Sequence, residues 1–304
     1  MNNKTAAEVI AEFRNERVNK KYLSQLAVDA IPGMSELKAR KKKLLQEILS
    51  GSIKDLNKTD MEKELHEIEQ RELSLLGSLQ AGSKCQKCSD TGFIDGSLCQ
   101  CLRDKIYREV YGAADIDSLS ESFDISDRSK FSSSFKCKNG STQRDKYIAL
   151  ENYARSYAEK FPINSKPNLF FTGNTGLGKT FILRSVAKYV HDKGEDVLLI
   201  DASDLFSVFH RHRLGYDIGL ESLQNCSLLL IDDLGVEPST QNVTVEYLLD
   251  LLNKRIDQKK HTVIATNLSS DNINLRYGER VYSRIRFKDV CDQLVFEGED
   301  IRIQ

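Results

Sequence analysis

The 304-residue chain has no tryptophan, only four prolines and three methionines, and no stretch approaching the 18 apolar residues that a membrane span requires. A membrane-spanning class is therefore not expected. The opening residues MNNKTAAEVIAEFRNER alternate charged and apolar positions and contain no apolar h-region, so a signal peptide is not expected and the cytoplasm is the expected compartment. A charge excess is missing too. Lys+Arg number 44 and Asp+Glu 45, so any polyanion-binding surface has to be a local patch rather than a property of the whole chain. Seven cysteines is an odd number, and four of them fall between Cys85 and Cys101. That clustering argues against a disulfide framework and for a metal in a reducing compartment. What remains, 40% hydrophobic and 29% charged residues, is the composition of a soluble globular protein with a full-sized core.

Three zones follow one another along the chain. Residues 1–81 read as helical: Val9, Ile10 and Phe13 form one stripe, Leu37, Leu44, Leu45, Ile48 and Leu49 a second, and Met61, Leu65, Ile68, Leu75, Leu76 and Leu79 a third. Gly51-Ser52 and the polar run to Asp60 separate the last two stripes, which predicts an antiparallel helical hairpin. The basic block Lys38–Lys43 reads as the solvated face of its helix, with a nucleic-acid contact as the alternative. Residues 82–111 hold the cysteine unit, and 112–145, rich in Ser, Asp and Lys, read as a linker anchored by Phe131 and Phe135. From 146 to 304, strands and helices alternate. Leu228–Ile231 and Thr262–Thr266 are apolar on both faces, as buried parallel strands must be. The expected fold is a doubly wound α/β domain behind a mostly helical amino-terminal region.

Gly173-Asn174-Thr175-Gly176-Leu177-Gly178-Lys179-Thr180 matches G-x-x-x-x-G-K-[ST] between an expected strand and an expected helix, with Phe181 following in the first turn. The pattern has a physical basis. Glycines let backbone amides wrap phosphates without an obstructing Cβ, and the helix amino terminus adds partial positive charge. Lys179 is suited to the β- and γ-phosphates of ATP, and the Thr180 hydroxyl to a magnesium ion. Leu228–Asp233 then places Asp232 at the carboxyl end of a central strand, where ligands of open α/β sheets bind. Asp232 is assigned to the magnesium shell and Asp233 to orienting the attacking water. A further buried strand ends in Thr266-Asn267; the Asn267 amide either reaches the γ-phosphate and water or caps the next turn. Arg280 and Arg284 stand at i and i+4, on one helix face. They are either surface arginines or donors to phosphoryl charge, often supplied by a neighbouring subunit.

In combination these motifs, with Gly278-Glu279-Arg280-Val281-Tyr282-Ser283-Arg284-Ile285 and the closing Gly298-Glu299-Asp300-Ile301-Arg302, resemble the DnaC/DnaI-type AAA+ ATPases, bacterial loaders of the replicative helicase. The resemblance covers residues 130–304. It implies that Asn267 is sensor 1, Arg284 the arginine finger with Arg280 beside it, and Arg302 the sensor 2 arginine. It also implies a hexameric replicative helicase and single-stranded DNA as partners, and self-association through the ATP site. Two departures stand out. The second acid of the magnesium strand is Asp233 rather than glutamate, which implies slow hydrolysis, and the chain stops at Gln304, which leaves no room for a helical lid.

Cys85-x-x-Cys88 and Cys99-x-Cys101 enclose ten residues in which Gly92 and Gly96 can turn a short hairpin. Four thiolates suit a closed, structural zinc site; an iron–sulfur cluster is the alternative, and a thioredoxin-like pair lacks its βαβ context. A Cys-x-x-Cys-x-Asp-Thr-Gly segment followed by Cys-x-Cys also resembles the amino-terminal part of some DnaI-like loaders, which implies a helicase-gripping role for this region. Cys137, Cys226 and Cys291 read as ordinary buried thiols. The run His210-Arg211-His212-Arg213 is either a solvated helix end that suits the helix dipole or, as the resemblance implies for an inserted helix near here, a single-stranded DNA contact by two of its members, with His210, Arg211 and Arg213 as candidates. A transposase-helper AAA+ ATPase and an ATP-gated adaptor with little hydrolysis are the competing functions.

Overall fold

The computed structural model describes residues 4–29, 31–49, 55–76, 84–216, 218–237 and 244–303. The chain divides into two compact units, one formed by Ile10–Cys101 and the other by Met1–Val9 with Leu102–Gln304. The helical region and the cysteines therefore share a single unit.

Helix α1 spans Ala6–Asp29, α2 Met34–Leu49 and α3 Asp55–Leu76. Helices α2 and α3 pack together as the expected hairpin, with Met34, Leu44 and Ile68 buried in this unit. The Gly51-Ser52 turn and Leu79 lie outside the described residues, as do the side chains of Ile48, Leu49, Leu75 and Leu76. Two members of the basic block of α2 pair with acids of α3, while Lys42 and Lys43 are exposed. Arg40 forms a two-pronged pair with Glu64 at 2.7 and 2.8 Å, and Lys41 reaches Glu69 at 3.1 Å and Glu72 at 3.0 Å on α3. The cysteine unit carries a small hairpin, β1 (Phe93–Ile94) with β2 (Ser97–Leu98), turned by Asp95 and Gly96 at φ 48° and 78°. Two successive positive φ values define the turn that matches strand twist, so the asparagine- and glycine-like preference here has a geometric cause.

Helix α4 (Gln100–Ile106) begins in the first unit and ends in the other, where the chain leads, through 3₁₀ and π turns, to α5 (Gln143–Lys160) and then to the alternating strands and helices. These are β3 (Asn168–Thr172), α6 (Lys179–Asp192), β4 (Val197–Asp201), α7 (Ala202–Arg213), α8 (Glu221–Asn225), β5 (Leu228–Leu234), α9 (Thr244–Asp257), β6 (His261–Thr266), α10 (Ser270–Ile285) and β7 (Cys291–Val295). The five long strands make one all-parallel sheet in the order β4-β5-β6-β3-β7. Alternate side chains point to opposite faces. Leu169, Phe171, Leu199, Leu230 and Val263 therefore meet α5 and α6 residues such as Ala154, Ile182 and Val186 in one core, while α7 and α9 pack against the rest of the sheet. Each such buried aliphatic side chain contributes about 1.5–3 kcal/mol, so the sheet provides a rigid base for the loops at its carboxyl edge.

Residues 112–145 depart from expectation. They form short 3₁₀ turns whose Ile116, Phe123 and Phe131 sit in the same core as the sheet, so they are part of this unit and not a linker. Phe131 stacks on Tyr147 of α5 with ring centroids 3.6 Å apart, whereas Phe135 is only half-buried. Ser/Asp/Lys composition concealed this because a few large aromatic anchors carry the burial.

Candidate nucleotide-binding site and four-cysteine centre

The loop between β3 and α6 crosses the carboxyl edge of the sheet next to the ends of β5 and β6. It borders a cleft of about 230 Å³ lined by Thr175–Thr180, Asp233, Asn267, Ile301 and Arg302. Two glycines in it hold left-handed backbone that side chains rarely adopt. Gly178 has φ 86°, and a Cβ there would lie 2.7 Å from the Tyr147 ring. Gly176 has φ 72°, and its Cβ would land 1.7 Å from an Asp300 carboxylate oxygen. The Phe131–Tyr147 stack thus lies directly beneath the last glycine of the loop.

Lys179 is buried and donates to the carbonyls of Gly173 at 2.7 Å and Asn174 at 2.6 Å, which holds its ammonium in the loop's concavity. Burial pulls it down from the ordinary lysine value to about 8, against the pull of Asp233 and Asp232. The Thr180 hydroxyl donates to Asp232 at 3.2 Å, bringing together the two groups suited to a magnesium ion. Asp232 is 2% exposed, and burial, with Asp233 and Asp201 beside it, raises its carboxyl to about 6. Strand register sets Asp201 opposite Asp232, so a third carboxylate stands at this edge. Such a crowd of acids around one hydroxyl and one ammonium is costly without a cation, and its chemistry fits a hard divalent metal.

Asp233 adopts φ 50° at a register shift in the pairing of β5 with β6. That left-handed turn brings its carboxylate to the cleft, where Asn267 Nδ2 donates to it at 3.1 Å. Arg302 comes from beyond β7: its guanidinium grips Asp300 at 3.0 and 2.8 Å and donates to Thr175 Oγ1 at 2.7 Å. The Ile301 amide donates to the Gly176 carbonyl at 3.1 Å, so this closing segment lies over the loop. Leu177 is buried in the core side of the loop and Phe181 is half-buried against the core. Arg280 and Arg284 are exposed and do not line the cleft; Arg284 donates to Asn253 of α9 at 2.6 Å.

The His210–Arg213 run needs correction. Arg211 is buried and donates to the Val110 carbonyl at 2.7 Å, because it lies on the inner face of α7, so it is withdrawn as a DNA contact. His212 donates to the Ile218 carbonyl at 2.8 Å. His210 and Arg213 are exposed. Residues to which the sequence assigns no site role are Asp300, Asp201, Phe131 with Tyr147 as the floor of the loop, and Glu237. Only Asp300 and Asp201 had a visible signal, as acids at a motif and at a strand end.

In the other unit the four thiols converge. Cys85 and Cys99 sulfurs lie 3.8 Å apart and those of Cys88 and Cys101 3.6 Å, with all four within 4.8 Å of one another. A tetrahedron with zinc–sulfur bonds of about 2.3 Å has edges of roughly 3.8 Å, so the set fits zinc. Asp90 accepts from the Cys85 amide at 2.8 Å and the Cys88 sulfur accepts from the Gly92 amide at 3.3 Å, which explains the Asp-Thr-Gly that follows the first cysteine pair. Cys137, Cys226 and Cys291 are buried as expected.

A parallel sheet with a phosphate-cradling loop, a strand-end acid and an asparagine on the next strand defines an AAA+ P-loop domain. Residues 154–304 match the family model for IstB-like ATP binding protein. Over 137 residues the chain is 28% identical to the replicative helicase loader DnaC of Escherichia coli strain K12, covering 44% of this chain and 55% of that protein. It is 30% identical over 141 residues to the chromosomal replication initiator protein DnaA of Campylobacter concisus, covering 46% of this chain and 32% of that one. The chain thus spans about half the length of the DnaC relatives it matches. Among solved structures, the DnaC helicase loader aligns with TM-score 0.44 at 25% identity over 51% of this chain and 90% of that one. DnaI aligns with TM-score 0.44 at 20% identity over 64% and 93%. The carboxyl-terminal half is an IstB-like, ATP-binding AAA+ domain homologous to the DnaC helicase loaders and to DnaA. No described helix is long and apolar enough to cross a membrane.

Proposed function

We propose that this protein is an ATP-dependent loader that binds the replicative DNA helicase and delivers it onto single-stranded DNA at the start of replication. One observation carries the reading: a complete nucleotide site in a DnaC-homologous domain shares a chain with a helical unit bearing four convergent thiols. Lys179 and the loop amides bind the β- and γ-phosphates, and Thr180 with Asp232 holds magnesium. Bound magnesium supplies charge neutralisation at the phosphoryl oxygens. Asp233 accepts a proton from the attacking water, with Asn267 orienting both. Arg302 reaches the phosphates from the same chain. Arg284, with Arg280 beside it, serves the site of a neighbouring subunit, which is consistent with their lying outside their own chain's cleft. The aspartate at 233 is one methylene shorter than glutamate, so hydrolysis is slow and rises when the helicase and DNA are bound.

Cys85, Cys88, Cys99 and Cys101 hold zinc in a closed, structural site that shapes the helicase-binding unit. His210 and Arg213 contact DNA phosphates. A transposase-helper ATPase would share the nucleotide site; the four-thiol unit, outside the residues matched by the IstB-like family model, favours the loader. The test is binding of the purified chain to its cognate replicative helicase with ATP, ADP or no nucleotide. The expected result is tight binding whose strength changes with the nucleotide; an absence of binding in every state sinks the loader reading. Phosphate release unaffected by Asp233→Asn would favour the adaptor instead.

A further inference from the structure

Between the end of β5 and the helix that carries Arg280 and Arg284 lies a buried carboxylate with several donors. Glu237 is 3% exposed. Its Oε2 accepts from the Gly235 amide at 2.9 Å, two residues past Asp233, and its Oε1 accepts from Arg276 Nε at 3.1 Å and from the Tyr277 hydroxyl. Arg276 also donates to the Glu237 backbone carbonyl. The strand exit is pinned from its other side as well. Thr266 Oγ1 donates to the Leu234 carbonyl at 2.5 Å, and Leu268 packs so closely on Gly235 that a Cβ there would come within 2.5 Å. Immediately after Tyr277, α10 breaks at Gly278, whose φ 79° and ψ 165° are non-helical. Arg280 and Arg284 ride on the short segment beyond that break.

Glu237 joins two elements: the backbone just past Asp233, through the Gly235 amide, and the last residues before the Gly278 break, through Arg276 and Tyr277. Burial, and then the Glu237 carboxylate, push the Tyr277 hydroxyl well above its ordinary value, so it stays a proton donor to this acid at any working pH.

We propose that Glu237 is a positioning residue that couples the Asp233 end of the nucleotide cleft to the orientation of the Arg280/Arg284 segment, so that occupancy of a chain's own site sets how it presents its arginines to the next. The inference rests on the ATPase reading above. A shift of Asp233 on nucleotide binding is passed through Gly235 and Glu237 to Arg276 and Tyr277, and the Gly278 break turns it into a rotation of the segment.

The experiment is hydrogen exchange over residues 270–287 with and without ATP and magnesium, together with steady-state hydrolysis, on the full chain and on Glu237→Gln and Tyr277→Phe. Wild type is expected to gain protection in that segment on adding ATP. In Glu237→Gln that gain is lost and kcat falls about tenfold, while KM stays within about twofold. Tyr277→Phe, which removes one hydroxyl and keeps the ion pair, gives an intermediate effect and covers the case in which Glu237→Gln does not fold. Either folded variant showing the wild-type gain of protection overturns the proposal, as does a wild type whose segment is indifferent to ATP. Absence of hydrolysis by wild type would count against the ATPase reading alone, since the exchange measurement needs no turnover.

Discussion

Asn267 donates its side-chain amide to the Asp233 carboxylate across 3.1 Å, tying the ends of neighbouring strands β6 and β5 at the mouth of the nucleotide cleft. The left-handed backbone at Asp233 and this amide together fix where the carboxylate points. Asp233→Asn should lower kcat by about 10²-fold or more, the usual worth of a positioned general base, while nucleotide affinity stays within about twofold. Asn267→Ala should lower kcat less, because Asp233 keeps its backbone constraint. Stopped-assay phosphate release alongside fluorescent-nucleotide titration separates the two effects.

Arg284 and Asp233 belong to one composite site only if they come from different chains. Arg284→Ala and Asp233→Asn, each expected to be strongly impaired alone, should regain part of the wild-type rate when mixed, because some interfaces then pair an intact cleft with an intact arginine. Failure of every mixing ratio to restore hydrolysis would show that the arginine does not act between chains.

Lys179 should make nucleotide binding pH-dependent. Its ammonium is at about 8 before nucleotide arrives, and bound phosphates raise it, because the charged form is the one they stabilise. Binding is therefore accompanied by proton uptake near pH 8.5 and weakens as pH rises further. Calorimetry in buffers of different ionisation enthalpy measures the uptake, which should shrink toward pH 7, where the lysine is already protonated.

Asp300 shields Arg302 with both oxygens before any phosphate is present. Asp300→Asn should loosen that grip and tighten ATP binding by about two- to fivefold, a size set by how weak exposed ion pairs are. Arg302→Ala should weaken it. Equal affinity in Asp300→Asn and wild type would mean that the carboxylate does not compete for the arginine.

The four-thiol unit should carry one zinc per chain by metal analysis, with Cys85→Ser or Cys101→Ser losing it and unfolding the hairpin. Metal that exchanges freely without loss of structure would contradict a closed structural site.

The alternation of strands and helices was legible because buried parallel strands such as Leu228–Ile231 are apolar without a break, and the loop at Gly173–Thr180 because its chemistry leaves few residue choices. Residues 112–145 have the composition of a linker and yet dock: three buried aromatic and aliphatic anchors are enough to dock a polar segment, and local composition does not reveal that Phe131 will stack on Tyr147. The burial of Arg211 is not legible because a run of four cationic residues says nothing about which one the helix turns inward, and Val110 is about a hundred positions away in sequence. Glu237 had no local signal either, since its partners Arg276 and Tyr277 arrive from α10.

The loader reading is tested most directly by counting replicative helicase bound to closed, protein-coated circles of single-stranded DNA, with and without this chain and ATP. The expected result is helicase on the circles only when the chain and ATP are both present, with Lys179→Ala unable to support it. Helicase that loads equally well without the chain, or not at all with it, would contradict the proposal.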